Sequence, residues 1–262
     1  MQEVKYNIML VLKLLLTPVL IVLVSLAGRR WGPAVSGWLV GLPLTAGPVT
    51  LFLALNLGTV FAAHAAQGAI LGLVSLAGFC LVYSWLSIRA SWLWSLMASW
   101  VMFFALTIAL EWVSLPLIVS FLGVIGLLVI VFKLLPGSDR QVSVVNPPSW
   151  EICLRMVVAT AFVVLLTGVA NSLGPQLSGL LSTFPMYASI LAAFTHRFQN
   201  AAAARGVLRG LITGIFTFAI FFLLIAALID KWGILISFGL ATLITLLLHG
   251  CSLWLLRRYM TS

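Results

Sequence analysis

Apolar runs long enough to cross a lipid bilayer follow one another along almost the whole chain. Crossing the hydrocarbon core of a bilayer takes about 20 apolar residues in a helix. Of the 262 residues, 63% are hydrophobic and only 7% are charged, whereas a soluble domain carries charge on about a quarter of its residues. The sequence therefore predicts an all-α polytopic membrane protein.

The apolar runs divide into nine predicted transmembrane helices. They occupy about 6–27, 34–55, 63–88, 92–112, 114–135, 152–171, 176–196, 203–229 and 234–256. The longest polar interruption, 136–151, is too short for a separate soluble domain. With nine helices, the two termini lie on opposite sides of the membrane.

The basic residues predict which side each terminus occupies. Cytoplasmic connections are enriched in lysine and arginine. An external N-terminus places most of the arginines in cytoplasmic connections or the tail: Arg29, Arg30, Arg89, Arg140, Arg197, Arg257 and Arg258. We therefore predict an N-out, C-in protein of a bacterial cytoplasmic membrane. Its net charge of +9 then reflects orientation, and we expect no nucleic-acid partner.

The segment GPAVSG, at 32–37, returns as GPQLSG at 174–179. We call the shift that carries position 32 to position 174 the repeat offset. The same offset pairs Pro43 with Pro185 and Lys13 with Arg155, and it also pairs Gly68 with Gly210 and Gly72 with Gly214. Leucine and alanine matches arise by chance between any two apolar helices, but glycines, prolines and a cation that match at one register indicate duplication.

Each predicted repeat contains four helices. Because an odd number of spans separates equivalent points of the two copies, the second copy has the opposite orientation in the membrane. Charge agrees with this inversion, because Arg29 and Arg30 correspond to the uncharged Asn171 and Ser172. We predict repeat 1 at 1–112, a linker helix with a cytoplasmic loop at 113–150, and inverted repeat 2 at 151–262. The alternative is a chance likeness between hydrophobic helices.

The second and seventh predicted helices each contain a proline near the middle, Pro43 and Pro185. Such a proline removes one helical hydrogen bond and clashes with the preceding turn. Transporters with inverted repeats bind their substrates between interrupted helices of this kind. We predict that the site includes both prolines and nearby hydroxyl groups: Ser36, Thr45, Ser178, Ser182, Thr183 and Tyr187. Alternatively, the prolines only shape packing, and the hydroxyls bond to their own backbone.

Lys13 and Arg155 are the corresponding cations that lie within predicted spans. A cation at such depth usually faces the protein interior or a wet path, although a side chain near a helix end can reach the interface. Unpaired cations and hydroxyls favour an anionic or weakly acidic solute. We predict that Lys13 and Arg155 bind it, and that His249 and Glu111 take part in coupling. The alternative for His249 is a hydrogen-bonded packing residue.

Glycines at four-residue spacing predict close helix packing. The set comprises Gly37, Gly41, Gly68, Gly72, Gly206, Gly210 and Gly214. The three cysteines lack metal-ligand spacing, and no enzyme motif is present. The sequence therefore predicts no catalytic residue, no metal site and no cofactor.

These features together predict a secondary-type transporter that works by alternating access between inverted repeats. Two alternatives are a lipid or polyprenyl-phosphate flippase, and a channel or non-transporting partner subunit. We expect a small-molecule or lipid-like substrate and contact with membrane lipids, and a homo-oligomer is compatible with the sequence.

Overall fold

A computed structural model describes residues 19, 22–44, 46–137, 150, 152–154, 156–158, 161 and 175–261. Lys13, Thr45 and Arg155, three of the predicted site residues, lie outside the described residues. The described part of the chain is helical and contains no β-strand. Its helices are α1 (22–31), α2 (Pro33–Val40), α3 (Ala46–Leu57), α4 (Thr59–Leu86), α5 (Trp92–Glu111), α6 (Leu117–Leu134), α7 (Pro175–Ser182), α8 (Met186–Phe198) and α9 (Ala201–Thr261).

Five helical segments are long and apolar enough to cross a membrane. They are Thr59–Leu86, Trp92–Glu111, Leu117–Leu134, Gln176–Phe198 and Ala201–Ser252. The predicted class, a helical chain with several long apolar helices, is confirmed at this level. The number of nine spans and the inverted arrangement remain predictions.

Helix α9 combines the last two predicted spans, 203–229 and 234–256. Its 61 residues are interrupted at Gly233, whose φ of 73° and ψ of 177° are not helical. Glycine adopts this backbone conformation without the steric strain that a Cβ would cause. The interruption divides α9 into a first arm (201–232) and a second arm (234–261), close to the predicted boundary.

Helix α4 lies in the centre of the bundle, whereas α5 and α6 lie at its outside. In their most apolar 18-residue windows, 67% of the α4 residues are buried, against 28% in α5 and 22% in α6. The side chains that α5 and α6 expose are large and apolar, including Val101, Ile108 and Leu122. In an aqueous protein such faces would be unfavourable, but lipid chains are an apolar solvent that suits them.

Contacts between helix ends place five basic residues at one end of the bundle. Trp85 donates to the Leu134 carbonyl at 3.1 Å, and Arg205 donates to the Gly137 carbonyl at 3.3 Å. The Arg209 guanidinium lies 4.7 Å from the centre of the Phe132 ring. These contacts bring together the C-terminal ends of α4 and α6 with the start of α9. We call this region the basic end; it contains Arg89, Lys133, Arg197, Arg205 and Arg209.

The opposite end is held by two glutamine side chains. Gln67 donates to the Leu115 carbonyl at 2.5 Å. Gln176, at the start of α7, donates to three carbonyls at the end of α5, those of Leu110, Glu111 and Val113. Lys231, at the far end of the first arm of α9, lies toward this end, whereas the five residues named above lie at the basic end. The predicted orientation places the basic end in the cytoplasm.

Candidate functional site

Both proline-containing helices are broken, and four backbone hydrogen bonds of one break recur in the other. In the first break, four backbone amides donate to nearby carbonyls: Gly41 to Trp38 at 3.0 Å, Leu42 to Leu39 at 3.2 Å, Leu44 to Leu42 at 2.7 Å, and Gly47 to Pro43 at 2.9 Å. The second break has four such bonds: Thr183 to Leu180 at 3.3 Å, Phe184 to Leu181 at 3.0 Å, Met186 to Phe184 at 2.7 Å, and Ser189 to Pro185 at 2.7 Å. The repeat offset relates every bond in the second set to its counterpart in the first.

Each break contains a tight turn centred on its proline. The bond from Leu44 to Leu42, like that from Met186 to Phe184, closes a three-residue turn with proline at its centre. Pro185 has φ −75° and ψ 50°, close to an inverse γ-turn. The pyrrolidine ring holds φ at about −65°, so proline suits this turn. The Leu39 and Leu181 carbonyls, which a proline four residues later deprives of a helical partner, accept bonds from Leu42 and Phe184 instead.

Each half-helix that precedes a break crosses a long helix of the other half of the chain. A Cβ on Gly37 of α2 would collide with the Val207 carbonyl of α9. A Cβ on Gly179 of α7 would likewise collide with the Ala65 carbonyl of α4. The repeat offset relates Ala65 to Val207, as it relates Gly37 to Gly179. The two crossings are therefore equivalent, with the halves exchanged.

The remaining predicted packing glycines extend the same two crossings. Gly68 faces the Gln176 carbonyl and Gly72 the Leu180 carbonyl, whereas Gly210 faces the Ala34 carbonyl and Gly214 the Trp38 carbonyl. Gly41 lies against the backbone of Gly214. Gly206 is the exception among these glycines. A Cβ there would make only ordinary contacts, the nearest 3.6 Å away on Pro33.

The crossings show that α2 and α7 begin at opposite ends of the bundle. Along α2, Pro33 lies by Gly206 and Trp38 lies by Gly214, so α2 runs in the direction of α9 from the basic end. Helix α7 runs in the direction of α4, from Gln176 beside Gly68 at the opposite end. Each half-helix ends at its break, in the interior of the bundle.

A small cavity lies between the two breaks, with a volume of about 30 Å³. Its walls come from both breaks, from the start of α8 and from the two long helices: Val40, Leu42, Leu76, Ser182, Thr183, Phe184, Pro185, Met186, Tyr187, Ala188, Leu211 and Phe218. Leu76 and Phe218 are themselves related by the repeat offset. The lining is mostly apolar and has no charged side chain among the described residues.

The predicted hydroxyl groups divide into two sets. Ser182, Thr183 and Tyr187 line the cavity with Pro185, although Ser182 donates to the Gly179 carbonyl and Thr183 to the Leu180 carbonyl, both at 2.7 Å. Pro43 lies in the first break, beside the lining residue Leu42. Ser36 and Ser178 are buried but do not line the cavity, and Ser36 donates to the Pro33 carbonyl at 2.7 Å.

The two predicted coupling residues lie in different places. His249, on the second arm of α9, is 2% exposed and stacks on Trp38 of α2 with 3.8 Å between the ring centres. Its Nδ1 is 2.7 Å from Oγ1 of Thr217 on the first arm. Glu111 lies at the end of α5, where its Oε2 is buried and has no hydrogen-bond partner within the described part of the chain. Neither residue lines the cavity.

The contact between Thr217 and His249 has a counterpart in the first half of the chain. The equivalent residues, one repeat offset earlier, are Ser75 and Thr107. Thr107 Oγ1 donates to Ser75 Oγ at 3.0 Å. The two halves therefore connect the same helix positions with side-chain hydrogen bonds, but only the second half uses a titratable group.

Two tryptophans join helices near the site, and no sequence pattern singles them out. Trp38 Nε1 donates to Ser252 Oγ at 2.8 Å, and Trp100 Nε1 donates to Ser189 Oγ at 2.9 Å. The partners are 214 and 89 residues apart in sequence. Only the tertiary structure reveals such pairs.

The fold and site define an α-helical chain whose long apolar helices suit an integral membrane protein, with a cavity between two broken helices. Among the residues the structure describes, no group of three or more His, Cys, Asp or Glu side chains could hold a metal ion. No family model matches the sequence, and no curated protein or solved structure matches it significantly.

Proposed function

We propose that this chain is a secondary-type transporter of the bacterial cytoplasmic membrane, built from two inverted four-helix repeats, with its solute site between the two breaks. The observation that carries the proposal is the equivalence of the breaks. Four backbone hydrogen bonds recur at the repeat offset, and the half-helices before them begin at opposite ends of the bundle. Interrupted helices of this kind form the substrate sites of transporters with inverted repeats.

The exchanged crossings suggest how access would alternate. Helix α2 packs on α9 and α7 packs on α4 through glycines that allow backbone contact. If the two crossings exchange their geometries, the cavity that opens toward one side becomes a cavity that opens toward the other. Small residues make such sliding compatible with close packing.

We propose a small anionic or weakly acidic solute. This choice is supported by Lys13 and Arg155, the corresponding cations of the two repeats, both outside the described residues. The cavity itself offers Ser182, Thr183 and Tyr187 as polar groups among apolar walls. Backbone groups at the breaks supply further polarity. An acid with a compact apolar body would suit both sets of groups, provided that the small cavity widens as access alternates. His249 and Glu111 are the proposed coupling residues.

A lipid-like substrate, as a flippase would move, is the second candidate. The apolar lining favours it, because Leu76, Leu211 and Phe218 provide a surface suited to hydrocarbon. A flippase also needs a lateral opening for the lipid, which a small-solute transporter does not. A channel would need no alternation between the two crossings, and single-channel recordings would reveal it.

Uptake into proteoliposomes tests the proposal. A thermal-shift screen of small carboxylic acids and phosphate esters selects solutes, and their uptake is then compared for wild type, Lys13→Ala and Arg155→Ala. Ala188→Leu fills the cavity from a buried wall, and Ser182→Leu fills it from a half-buried rim. Leu122→Phe is the control, because it alters a side chain that is 62% exposed on the outside of α6.

We expect both cavity variants to lose uptake while Leu122→Phe retains it, and both cation variants to weaken uptake of anions. Normal thermal unfolding of the variants would show that they fold. Unchanged transport by well-folded Ala188→Leu and Ser182→Leu would refute the site. Unchanged anion uptake by both cation variants would refute the anionic class and leave the site standing.

A further inference from the structure

We propose that His249 Nε2 is a proton-binding site that controls the crossing of α2 and α9, and thereby the first break. Protonation itself is independent of transport, but its consequence for alternating access rests on the function proposed above. Thr217 is the residue that holds the imidazole ring.

The two short contacts of Thr217 favour one tautomer of neutral His249. Thr217 Oγ1 donates to the Gly214 carbonyl at 2.7 Å and is also 2.7 Å from His249 Nδ1. A hydroxyl group has one hydrogen. Both contacts are hydrogen bonds at the same time only when the hydroxyl donates to Gly214 and accepts from His249; in the arrangement we propose, Nδ1 therefore carries the proton of the neutral ring. Nε2 is then left with a bare lone pair.

This lone pair is buried and has no donor. His249 is 2% exposed, and its Nε2 has no hydrogen-bond partner among the described residues. Buried polar atoms normally have partners, and leaving one unpaired is unfavourable. A basic nitrogen left in this state suits a function that requires it to gain and lose a proton.

A hydrogen-bond acceptor for the added proton lies close to the ring. A Cβ placed on Gly214 would be 2.6 Å from the Trp38 carbonyl oxygen and 3.3 Å from His249 Cε1, the atom bonded to Nε2. Both groups therefore border the same small space at the crossing. A proton from water that binds Nε2 gives an N–H, and we propose that the ring or the end of α2 then moves so that this N–H donates to the Trp38 carbonyl. The Trp38 indole face can stabilise the resulting cation.

The Trp38 carbonyl connects the proton to the break. It already accepts the amide of Gly41 at 3.0 Å, one of the four bonds that shape the first break. A charged donor at the same oxygen forms a stronger hydrogen bond than a neutral amide. Protonation would therefore change the end of α2, next to the cavity-lining residues Val40 and Leu42.

No charged side chain is in contact with the imidazole among the residues the structure describes. The ring meets Trp38 from α2, and Thr217 and Gly214 from the first arm of α9. On the N-terminal side of Thr217, the nearest charged residue of the first arm is Arg209. Its guanidinium stacks on Phe132 of α6 and not on the imidazole. On the C-terminal side, Asp230 and Lys231 follow more than three turns later.

The first half of the chain lacks an equivalent proton site. At the corresponding positions, Thr107 and Ser75 share a hydrogen bond that is insensitive to pH between about 4 and 9, since neither hydroxyl titrates there. Protonation of His249 therefore acts on one crossing and not on the other. A proton would shift the balance between two otherwise equivalent states, which is what coupling requires.

Solid-state NMR of ¹⁵N-histidine-labelled protein in liposomes tests the protonation directly. His64 and His196 are the other two histidines, and His249→Gln identifies the signals of His249 by their loss. We expect neutral His249 at pH 8 with its proton on Nδ1, and conversion to imidazolium on acidification toward pH 4. A neutral ring throughout this range, or a neutral ring protonated on Nε2, would overturn the proposal.

Uptake measurements test the consequence for transport. With an inward-directed proton gradient, we expect faster uptake by wild type but no response to the gradient in His249→Gln. Thr107→Val removes the equivalent hydrogen bond of the first half and serves as the matched control, which should keep the response. A gradient response retained by His249→Gln would refute the coupling role. If wild type moves no solute, the transporter proposal fails, and the NMR titration still decides whether His249 binds a proton.

Discussion

Gly68→Ala and Gly210→Ala test the two exchanged crossings with the same perturbation in each half. A Cβ on Gly68 would lie 2.5 Å from the Gln176 carbonyl oxygen and 3.2 Å from both its carbonyl carbon and its Cα. Favourable carbon contacts begin at about 3.5 Å, so α7 must move about 1 Å away from α4. The obstructing atoms belong to the backbone of Gln176, so a side-chain rotation cannot move them away. Overpacking of this kind destabilises proteins by about 1–3 kcal/mol.

The effect is measured as the midpoint of thermal unfolding of the purified protein in detergent. Gly123→Ala and Gly126→Ala, inside α6, are matched controls because a Cβ there meets nothing within 4 Å. These controls should be neutral, or stabilising by up to about 1 kcal/mol through higher helix propensity. We expect both crossing variants to unfold several degrees below both controls. Crossing variants as stable as the controls would refute the close backbone contacts, and a loss at one crossing alone would refute their equivalence.

Further predictions concern the breaks and the polar contacts around them. Pro43→Ala and Pro185→Ala restore an amide that can continue each helix; we expect similar losses of uptake, and normal uptake by either variant would count against the breaks. Trp100→Phe should lower the free energy of unfolding by about 1 kcal/mol through the lost bond to Ser189, with no further loss when Ser189→Ala is added. Gln176→Leu should lower it by about 1–3 kcal/mol, because carbonyls at the end of α5 lose their donor; a calorimetric value unchanged from wild type would contradict this.

The positions of the breaks could be predicted from the sequence because proline acts locally. Pro43 and Pro185 remove a donor and fix a backbone angle wherever the chain places them, and the structure ends α2 and α7 three residues before each proline. The three-residue turns were beyond prediction. They depend on which carbonyls find new donors, and a mid-helix proline is equally compatible with a kink in a continuous helix.

Pairings between distant segments could not be predicted. The spacing of Gly37 and Gly41 indicates a close helix contact, but nothing in that spacing specifies α9 as the partner. The contact of Trp38 with His249 is of the same kind, because two aromatic rings so far apart in sequence carry no shared signal. The hydroxyls were only partly predictable: Ser182 lies at the cavity, whereas Ser36 faces its own helix and bonds to the Pro33 carbonyl.

The central claim, that the two broken helices enter from opposite faces of one membrane, is tested most directly by labelling single cysteines. In a background without Cys80, Cys153 and Cys251, Arg30→Cys marks the start of α2, and Trp112→Cys marks the end to which Gln176 of α7 is bonded. Both native side chains are exposed, Trp112 by 86%. In oriented vesicles treated with an impermeant maleimide, we predict labelling of Trp112→Cys from outside, and of Arg30→Cys only after permeabilisation. Labelling of both cysteines from the same side would contradict the account.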